Sequence, residues 1–223
     1  NIALSYAQNF DKSKQLLEEA LTQRKNEFKD KDPVIPLLLT KLATLCVWHG
    51  KKESANKYFS QTEEALKNTK LSKDLVFITF NDLATTYEEA GKNDEALSAL
   101  ERGYKMLDGS KYPLEKIFMT LRLAELYGTK GDGPKAIEFY KKAFSESKNL
   151  NEIEILTIYA LGNMADMYKT IKDYSTAKSY YDKQYEEARK LKNDDLSGSS
   201  RLNSCVMLFK QNKRTEGIQC FED

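Results

Sequence analysis

The stretch that decides the fold runs from Leu83 to Gly103 and reads LATTYEEAGKNDEALSALERG. Leu83, Ala84 and Tyr87 fall on one face of a helix, because residues three or four apart lie about one turn apart. Gly91 follows that face and predicts its end, since glycine readily adopts the left-handed conformation that closes a helix. The first half of the stretch therefore predicts a helix that ends in a tight reversal.

The second half of the stretch predicts a helix that packs back on the first. Ala96, Leu100 and Gly103 are spaced four and three residues apart, which places them on one helix face. Small residues at Ala84, Ala96 and Gly103 allow the two backbones to approach closely. The remaining space is filled by Leu83, Tyr87 and Leu100. The pattern is typical of a packed helical hairpin.

The same offsets recur along the chain. The leading residues of the five copies stand at positions 42, 83, 123, 164 and 204, which are 41, 40, 41 and 40 residues apart. Their turn positions are Gly50, Gly91, Gly131, Lys172 and Asn212. A constant period of this kind predicts stacked repeats rather than one globular core.

These copies resemble the tetratricopeptide repeat (TPR) family, over nearly the whole chain. The standard repeat has 34 residues, and each copy here is about six longer, as in kinesin light chains, the Leu-Gly-Asn repeat scaffolds and the bacterial peptide-sensing regulators. The junction from Ala20-Leu21 through Lys31-Asp32-Pro33-Val34 to Leu42-Ala43 is most similar to kinesin light chains. The resemblance implies an all-α fold, a right-handed superhelix (solenoid) of antiparallel helix pairs.

The repeat spacing divides residues 1–223 into a single array. The predicted units are a partial repeat at 1–28, full repeats at 34–69, 73–108, 112–148 and 152–192, and a truncated repeat at 197–223. Asp173 predicts a helix N-cap, and Asn151 with Glu154 predicts a capping box. Asp194 to Ser200 is polar and contains glycine and serine, which predicts a joint between helices. The absence of an initial methionine indicates a fragment.

Composition argues against two classes of partner. The chain has 35 basic and 34 acidic residues and a net charge of +1, so it has no strong attraction for nucleic acid or for an anionic membrane. No apolar run approaches the ~20 residues that cross a bilayer. We therefore expect no nucleic-acid partner and no membrane insertion.

The three cysteines predict packing rather than chemistry. Cys46 and Cys205 fall on template positions that take small apolar residues, and Cys220 lies in the last predicted helix. There is no Cys-x-x-Cys motif and no Cys/His spacing that suits a metal. The sequence thus predicts reduced cysteines, no metal, no cofactor and a cytoplasmic (intracellular) location.

The exposed face of each first helix is the candidate binding surface. In the family this face lines the inside of the superhelix, where aromatic groups anchor a ligand and Asn or Arg side chains hold its backbone. We name this predicted set the first-helix surface; its members are Lys41, Trp48, Asp82, Thr85, Glu89, Phe118, Arg122, Glu125, Tyr159, Asn163, Asp166 and Asn203.

Charge on this surface narrows the class of ligand. Some chaperone-binding relatives hold a terminal carboxylate, and Arg122 would fit that clamp. Phe118 replaces the expected lysine and Asp82 the expected asparagine, and an aspartate would repel a carboxylate. Carboxylates at Asp82, Glu88, Glu89, Glu125 and Asp166 predict instead a mildly acidic groove that favours a ligand with Lys or Arg among apolar residues.

No catalytic constellation is present in the sequence. His49, the single histidine, stands beside Gly50 at a predicted helix end, where a capping or exposed role is expected. The leading interpretation is a non-enzymatic adaptor or scaffold that binds a protein or peptide in a concave groove. The alternatives are a peptide-sensing array that controls an effector domain outside this chain, and a structural subunit of a larger assembly; self-association is compatible with each.

Overall fold

The computed structural model describes residues 9–107, 112–148, 150 and 154–222, and all the regular structure in these residues is helical. The chain divides into two compact units, residues 1–119 (unit 1) and 120–223 (unit 2). Residues 1–8 of the predicted partial repeat, and Asn151 of the predicted capping box, lie outside the described residues.

Unit 1 consists of helices that pack as neighbours along the chain. They are α1 (Phe10–Phe28), α2 (Ile35–Trp48), α3 (Lys52–Asn68), α4 (Lys73–Glu89) and α5 (Asn93–Met106), with a 3₁₀ turn at Lys29–Lys31. The pairs α2 with α3 and α4 with α5 form hairpins, and α2 also packs against α1 and α4. First helices thus lie beside first helices, which brings equivalent positions of successive copies together.

Unit 2 repeats this arrangement. The division between the units falls within α6 (Pro113–Thr129), and the later helices are α7 (Gly133–Lys148), α8 (Glu154–Thr170), α9 (Tyr174–Lys190), α10 (Asp194–Lys210) and α11 (Arg214–Glu222). Helix α8 packs against α7 and α9, and α10 packs against α9 and α11. The all-α, TPR-like solenoid class predicted from the sequence is confirmed.

The reversal between the two helices of each hairpin has one backbone conformation. Five turn residues have positive φ: Gly50 (65°), Gly91 (74°), Gly131 (83°), Lys172 (64°) and Asn212 (62°). In each turn the next residue donates its N–H to a carbonyl five residues back, as Lys92 does to Tyr87 at 2.8 Å and Asp173 to Tyr168 at 2.9 Å. This bond closes the helix end. The predicted turn at Gly91 is confirmed, and two copies adopt it without glycine.

Small residues sit where backbones approach. Ala84 and Ala96 are fully buried. A Cβ atom on Gly103 would lie 2.4 Å from Cε of Met119 and 2.7 Å from Cβ of Phe80, both shorter than van der Waals contact. The predicted reason for small residues at these positions is therefore correct.

The core of unit 2 combines small residues with tyrosines. Ala165, Ala177, Tyr181 and Met207 form a buried cluster that joins α8, α9 and α10. Asp173 caps α9, since its Oδ1 accepts the Thr176 N–H at 3.1 Å, as predicted.

The predicted joint at Asp194–Ser200 is wrong, because these residues form the first turns of α10. Asn193 caps the helix by accepting the Leu196 N–H at 3.0 Å. Ser200 donates its hydroxyl to the Leu196 carbonyl at 2.7 Å and is fully buried. Local polarity indicated a loop, but the serine hydroxyls are satisfied inside the helix and pack as small residues.

The prediction of reduced cysteines is wrong for one pair. Cys205 and Cys220 form a disulfide, with their Cα atoms 5.5 Å apart. They lie on facing sides of the α10–α11 hairpin, a proximity that the sequence spacing alone does not reveal. Cys46 is a free, buried cysteine, as predicted. The cysteines therefore give no support to a reducing compartment. Within the described residues, no helix has the length and apolar character needed to span a bilayer.

Candidate partner-binding site

In unit 1, predicted surface residues of α2 and α4 bond to each other. Lys41 Nζ lies 2.6 Å from Asp82 Oδ2, and Trp48 Nε1 donates to Glu89 Oε2 at 2.8 Å. Each pair joins equivalent positions of consecutive copies. The contacts fix the spacing between two first helices and orient four polar groups before any ligand arrives.

A partly buried pair of hydroxyl groups lies between these two contacts. The Thr44 and Thr86 Oγ1 atoms are 2.7 Å apart, and Thr86 is almost fully buried. Thr85, the predicted member of the surface, donates instead to the Asn81 carbonyl of its own helix at 3.0 Å. The sequence therefore identified the partly buried Thr85 and missed Thr86, which links the two helices.

Large apolar side chains remain exposed beside these polar pairs. Trp48 is 46% exposed, Ile78 44% and Phe118 43%. The rings of Phe77 and Phe118 contact each other with centroids 6.2 Å apart. Unit 1 thus presents exposed apolar side chains beside polar side chains that are held by hydrogen bonds.

In unit 2, Glu125 is the centre of the corresponding polar cluster. Arg122 Nη1 donates to Glu125 Oε2 at 3.0 Å, and the Tyr159 hydroxyl donates to Oε1 of the same carboxylate. Burial raises the pKa of Tyr159, and its bond to Glu125 adds to that rise. Tyr159 joins α8 to α6, while its ring remains 47% exposed.

Asn163 lies beside this cluster. Its amide is close enough to the Tyr159 hydroxyl that a side-chain hydrogen bond between them acts against the rise in the pKa of that phenol. The Asn163 Nδ2 atom is buried. Asn203, the equivalent position of the next copy, is half-buried on α10.

Asp166 is held by two residues that were absent from the predicted set. It accepts a hydrogen bond from the Tyr181 hydroxyl at 2.7 Å and another from Lys169 Nζ. Burial is the largest cause, and the hydrogen bond to Asp166 the next largest, of a rise in the pKa of Tyr181 to about 12. Lys169 could have been anticipated from its spacing of three residues on the same helix face, whereas Tyr181 is identifiable from the sequence only as a core residue.

These contacts change the electrostatics expected of the surface. Asp82, Glu125 and Asp166 are each paired with a basic side chain, and Glu89 accepts from a neutral indole. A basic ligand group would compete with a basic side chain of the protein at three of these four carboxylates. The structure thus places the predicted residues in two sets, one per unit: Lys41, Trp48, Asp82, Thr85, Glu89 and Phe118 in the first, and Arg122, Glu125, Tyr159, Asn163, Asp166 and Asn203 in the second.

No metal centre accompanies this surface in the residues that the structure describes, since no three His, Cys, Asp or Glu side chains converge there. His49 caps the end of α2, and its ring contacts Phe10 with a centroid distance of 4.9 Å. Its neighbourhood is a packing contact at a helix end.

Comparison with known proteins agrees with this geometry. The family model described as Tetratricopeptide repeat matches residues 158–191, which cover most of the α8–α9 hairpin. The fold is TPR-like. The resemblance predicted from the sequence, including that to kinesin light chain repeats, is confirmed. No curated protein matches the chain significantly in sequence.

Solved structures match the TPR-like chain over most of its length. BtubC (BKLC) from P. vanneervenii has a TM-score of 0.73 at 14% identity, with 97% of this chain and 88% of that chain covered. A putative kinesin light chain with nearly identical TPR-like repeats, from Podosopora anserina, has a TM-score of 0.67 at 16% identity, with coverages of 85% and 92%.

A third similar structure belongs to a larger protein. It is a signal transduction ATPase with numerous domains and a tetratricopeptide repeat sensor, from Pyrococcus horikoshii. Its TM-score is 0.69 at 19% identity, and the match covers 90% of this chain but 30% of that protein. At these identities the likeness concerns the fold.

Proposed function

We propose that this chain is a non-catalytic protein-interaction module, an adaptor or scaffold that binds an extended peptide or a helical segment of a partner protein on its first-helix surface. The observation that carries the proposal is the exposure of Trp48, Ile78 and Phe118 in unit 1 and of Tyr159 in unit 2. Large apolar groups that are half exposed on one helix series, beside pre-oriented polar groups, are typical of partner-binding surfaces.

The polar groups would supply specificity. The pairs Lys41–Asp82 and Arg122–Glu125 and the Tyr159–Glu125 bond hold their side chains in place. Binding of a ligand would therefore cost little side-chain conformational entropy at these positions. Asn163, beside the Tyr159–Glu125 bond, would contribute its amide to the main chain of the ligand, as the family resemblance implies. Because basic side chains already pair with three surface carboxylates, apolar side chains of the ligand would contribute more affinity than its Lys or Arg residues.

The experiment is affinity capture of partners by the chain and by two double variants. Trp48→Ala with Phe118→Ala removes apolar groups, and Arg122→Ala with Asn163→Ala removes polar groups. We expect both double variants to lose most of the partners that the unchanged chain retains. Leu16→Ala with Ile171→Ala is the matched control, since both side chains are more than half exposed and lie outside the proposed surface.

The outcome separates binding at this surface from binding elsewhere. Helical circular dichroism must be the same for all variants, so that loss of partners reflects the surface rather than unfolding. If both double variants retain every partner, the binding site lies on another face of the chain. The proposal is supported if the control variant retains the partners and the two double variants lose them. Light scattering shows separately whether one of the partners is a second copy of the chain.

A second candidate is a peptide-sensing array that controls an effector domain outside this chain. The Pyrococcus horikoshii neighbour, in which such repeats are described as a sensor, favours it. The same surface would then bind a short free peptide rather than a segment of a large protein. A peptide fraction that displaces the captured partner would favour this candidate over a scaffold. A structural subunit, the third candidate, would keep its partners through the double substitutions.

A further inference from the structure

We propose that Trp48 and Glu89 form a subsite of the first-helix surface that binds the guanidinium group of an arginine in a partner protein. The inference rests on the proposed function and names the ligand group that this part of the surface selects. Two properties of the pair carry it: the indole ring is partly exposed, and the carboxylate has no basic partner within the described part of the chain.

Glu89 differs from the other carboxylates of the first-helix surface. Asp82, Glu125 and Asp166 each form an ion pair with a basic side chain. Glu89 is exposed and forms no ion pair with any residue that the structure describes. Its Oε2 atom accepts the hydrogen bond from Trp48 Nε1 at 2.8 Å. The indole N–H therefore orients the carboxylate, while the Oε1 atom is open to a donor from a ligand.

The indole ring supplies the second half of the subsite. Trp48 remains 46% exposed although its N–H is bonded, so part of the ring reaches solvent. Tryptophan is the aromatic side chain that attracts a cation most strongly. A guanidinium group is planar, stacks on aromatic faces and donates in a fork that suits a carboxylate. An arginine side chain is therefore able to contact the ring and donate to Glu89 at the same time.

This pair is not a general link between first helices. Trp48 and Glu89 stand six residues after the leading positions 42 and 83, and the equivalent residues of the next two copies are Thr129 and Thr170. Each threonine hydroxyl donates to a carbonyl of its own helix, at 3.0 and 2.9 Å. The repeat therefore does not require an aromatic residue and a carboxylate at this position, which favours a role in binding over a role in packing.

Two lysines lie near Glu89 without neutralising it. Lys52 and Lys92 line the cleft between the α2–α3 and α4–α5 turns, which Glu89 also lines. Lys92 is paired with Glu95 at 3.5 Å. Neither lysine forms an ion pair with Glu89 in the part of the chain that the structure describes. The carboxylate therefore retains its charge for a ligand.

The test follows the indole N–H signal by NMR, because Trp48 is the single tryptophan and gives one such signal. N-acetyl-arginine amide, its lysine counterpart and its neutral citrulline counterpart are each titrated into the whole chain. The arginine probe should shift the signal to saturation, with an affinity about threefold or more above that of the lysine probe. The citrulline probe should leave the signal nearly unchanged. Equal affinity for the lysine probe would overturn the assignment to a guanidinium group.

Glu89→Gln is the decisive variant, since glutamine still accepts from the indole N–H but carries no charge. It should weaken binding of the arginine probe by about tenfold or more. Glu64→Gln is the matched control, because it removes the same charge from an exposed position on α3 and should leave binding unchanged. Equal binding by Glu89→Gln and the unchanged chain, or equal shifts with the arginine and citrulline probes, would overturn the proposal.

The titration needs no partner protein, so its failure is distinguishable from failure of the proposed function. If the chain does not discriminate among the probes but both double variants lose their partners, the arginine subsite is wrong and the proposed function stands. If the chain discriminates among the probes but both double variants retain every partner, the proposed function is wrong, and the assignment of the arginine to a partner protein fails with it.

Discussion

The Gln184 side chain lies directly against the backbone of Gly162, where it donates from Nε2 to the Ile158 carbonyl at 3.2 Å. A Cβ atom on Gly162 would be 2.2 Å from that nitrogen. The amide therefore occupies the space that any other residue at position 162 would need. The pair locks α9 onto α8 in the hairpin that matches the tetratricopeptide repeat model.

Gly162→Ala should destabilise the chain by about 1–3 kcal/mol, because Gln184 must leave its position and its buried bond is lost. The measurement is the free energy of unfolding from urea denaturation. Gly198→Ala is the control in another first helix, α10, where no atom lies within 4 Å of the added methyl. That variant should gain roughly 0.5–1 kcal/mol, because alanine is the better helix former. Equal effects of the two substitutions would contradict the role of Gln184.

The turn residue of the α8–α9 hairpin gives a second prediction. Lys172 has φ of 64°, a conformation that costs a residue with a side chain about 1–2 kcal/mol. Lys172→Gly should therefore raise the free energy of unfolding by about 1 kcal/mol. The reverse change in unit 1, Gly91→Ala, should lower it by about 1 kcal/mol. Asn212→Gly should gain less than Lys172→Gly, because asparagine tolerates the left-handed region better.

The hairpins were predictable because their determinants are local. Gly91 and the small and apolar positions on either side of it are visible in one copy. The 40- or 41-residue period, which links the copies, checks them. The period also predicts the contact between Lys41 and Asp82. Both residues stand immediately before a leading residue, and neighbouring first helices bring equivalent positions of successive copies together. That step from period to pairing could have been taken from the sequence.

Other features depend on contacts that no period encodes. Cys205 and Cys220 meet because α11 folds back on α10, and their residue types suit packing equally well. Ser200 indicates a loop by local polarity but is buried in a helix. Asp166 is compensated by the Tyr181 hydroxyl, which reaches it from a different helix. In each case contacts between helices determine the observed structure, and they outweigh the preference that the local sequence indicates.

Trp48 allows the unit 1 part of the surface to be tested by fluorescence, because it is the single tryptophan of the chain. Its ring is half exposed, and Nε1 is bonded to the Glu89 carboxylate. Iodide should quench this residue less than neutral acrylamide does, since the adjacent carboxylate repels the anion. Glu89→Gln should increase quenching by iodide, decrease quenching by caesium and leave acrylamide quenching nearly unchanged. Iodide quenching that does not respond to Glu89→Gln would place the carboxylate away from the indole.

The ion pair between Arg102 and Glu63 gives a prediction for the second helices of unit 1. Arg102 donates to both carboxylate oxygens, at 2.7 and 2.8 Å, and links α5 to α3. Both side chains are partly exposed, so solvent screens the pair. A double-mutant cycle with Arg102→Ala and Glu63→Ala should give a coupling of about 0.5–1 kcal/mol that shrinks in 1 M salt. A coupling that does not shrink in 1 M salt would contradict an ion pair that solvent screens.

Alkaline pH should lower the free energy of unfolding because the buried Tyr181 phenol ionises. The pKa of this buried phenol is about 12 in the folded chain, against about 10 in an unfolded one. Because the folded pKa is the higher one, the contribution of Tyr181 to stability is complete below about pH 10 and is lost as the pH rises towards 12. Tyr181→Phe should therefore flatten the decline of the free energy of unfolding over that interval, at a cost of about 1 kcal/mol near neutral pH for the lost bond to Asp166. Tyr185→Phe, on the same helix, is the control for loss of a phenol, and an equal flattening in both variants would show that the bond to Asp166 is not the cause.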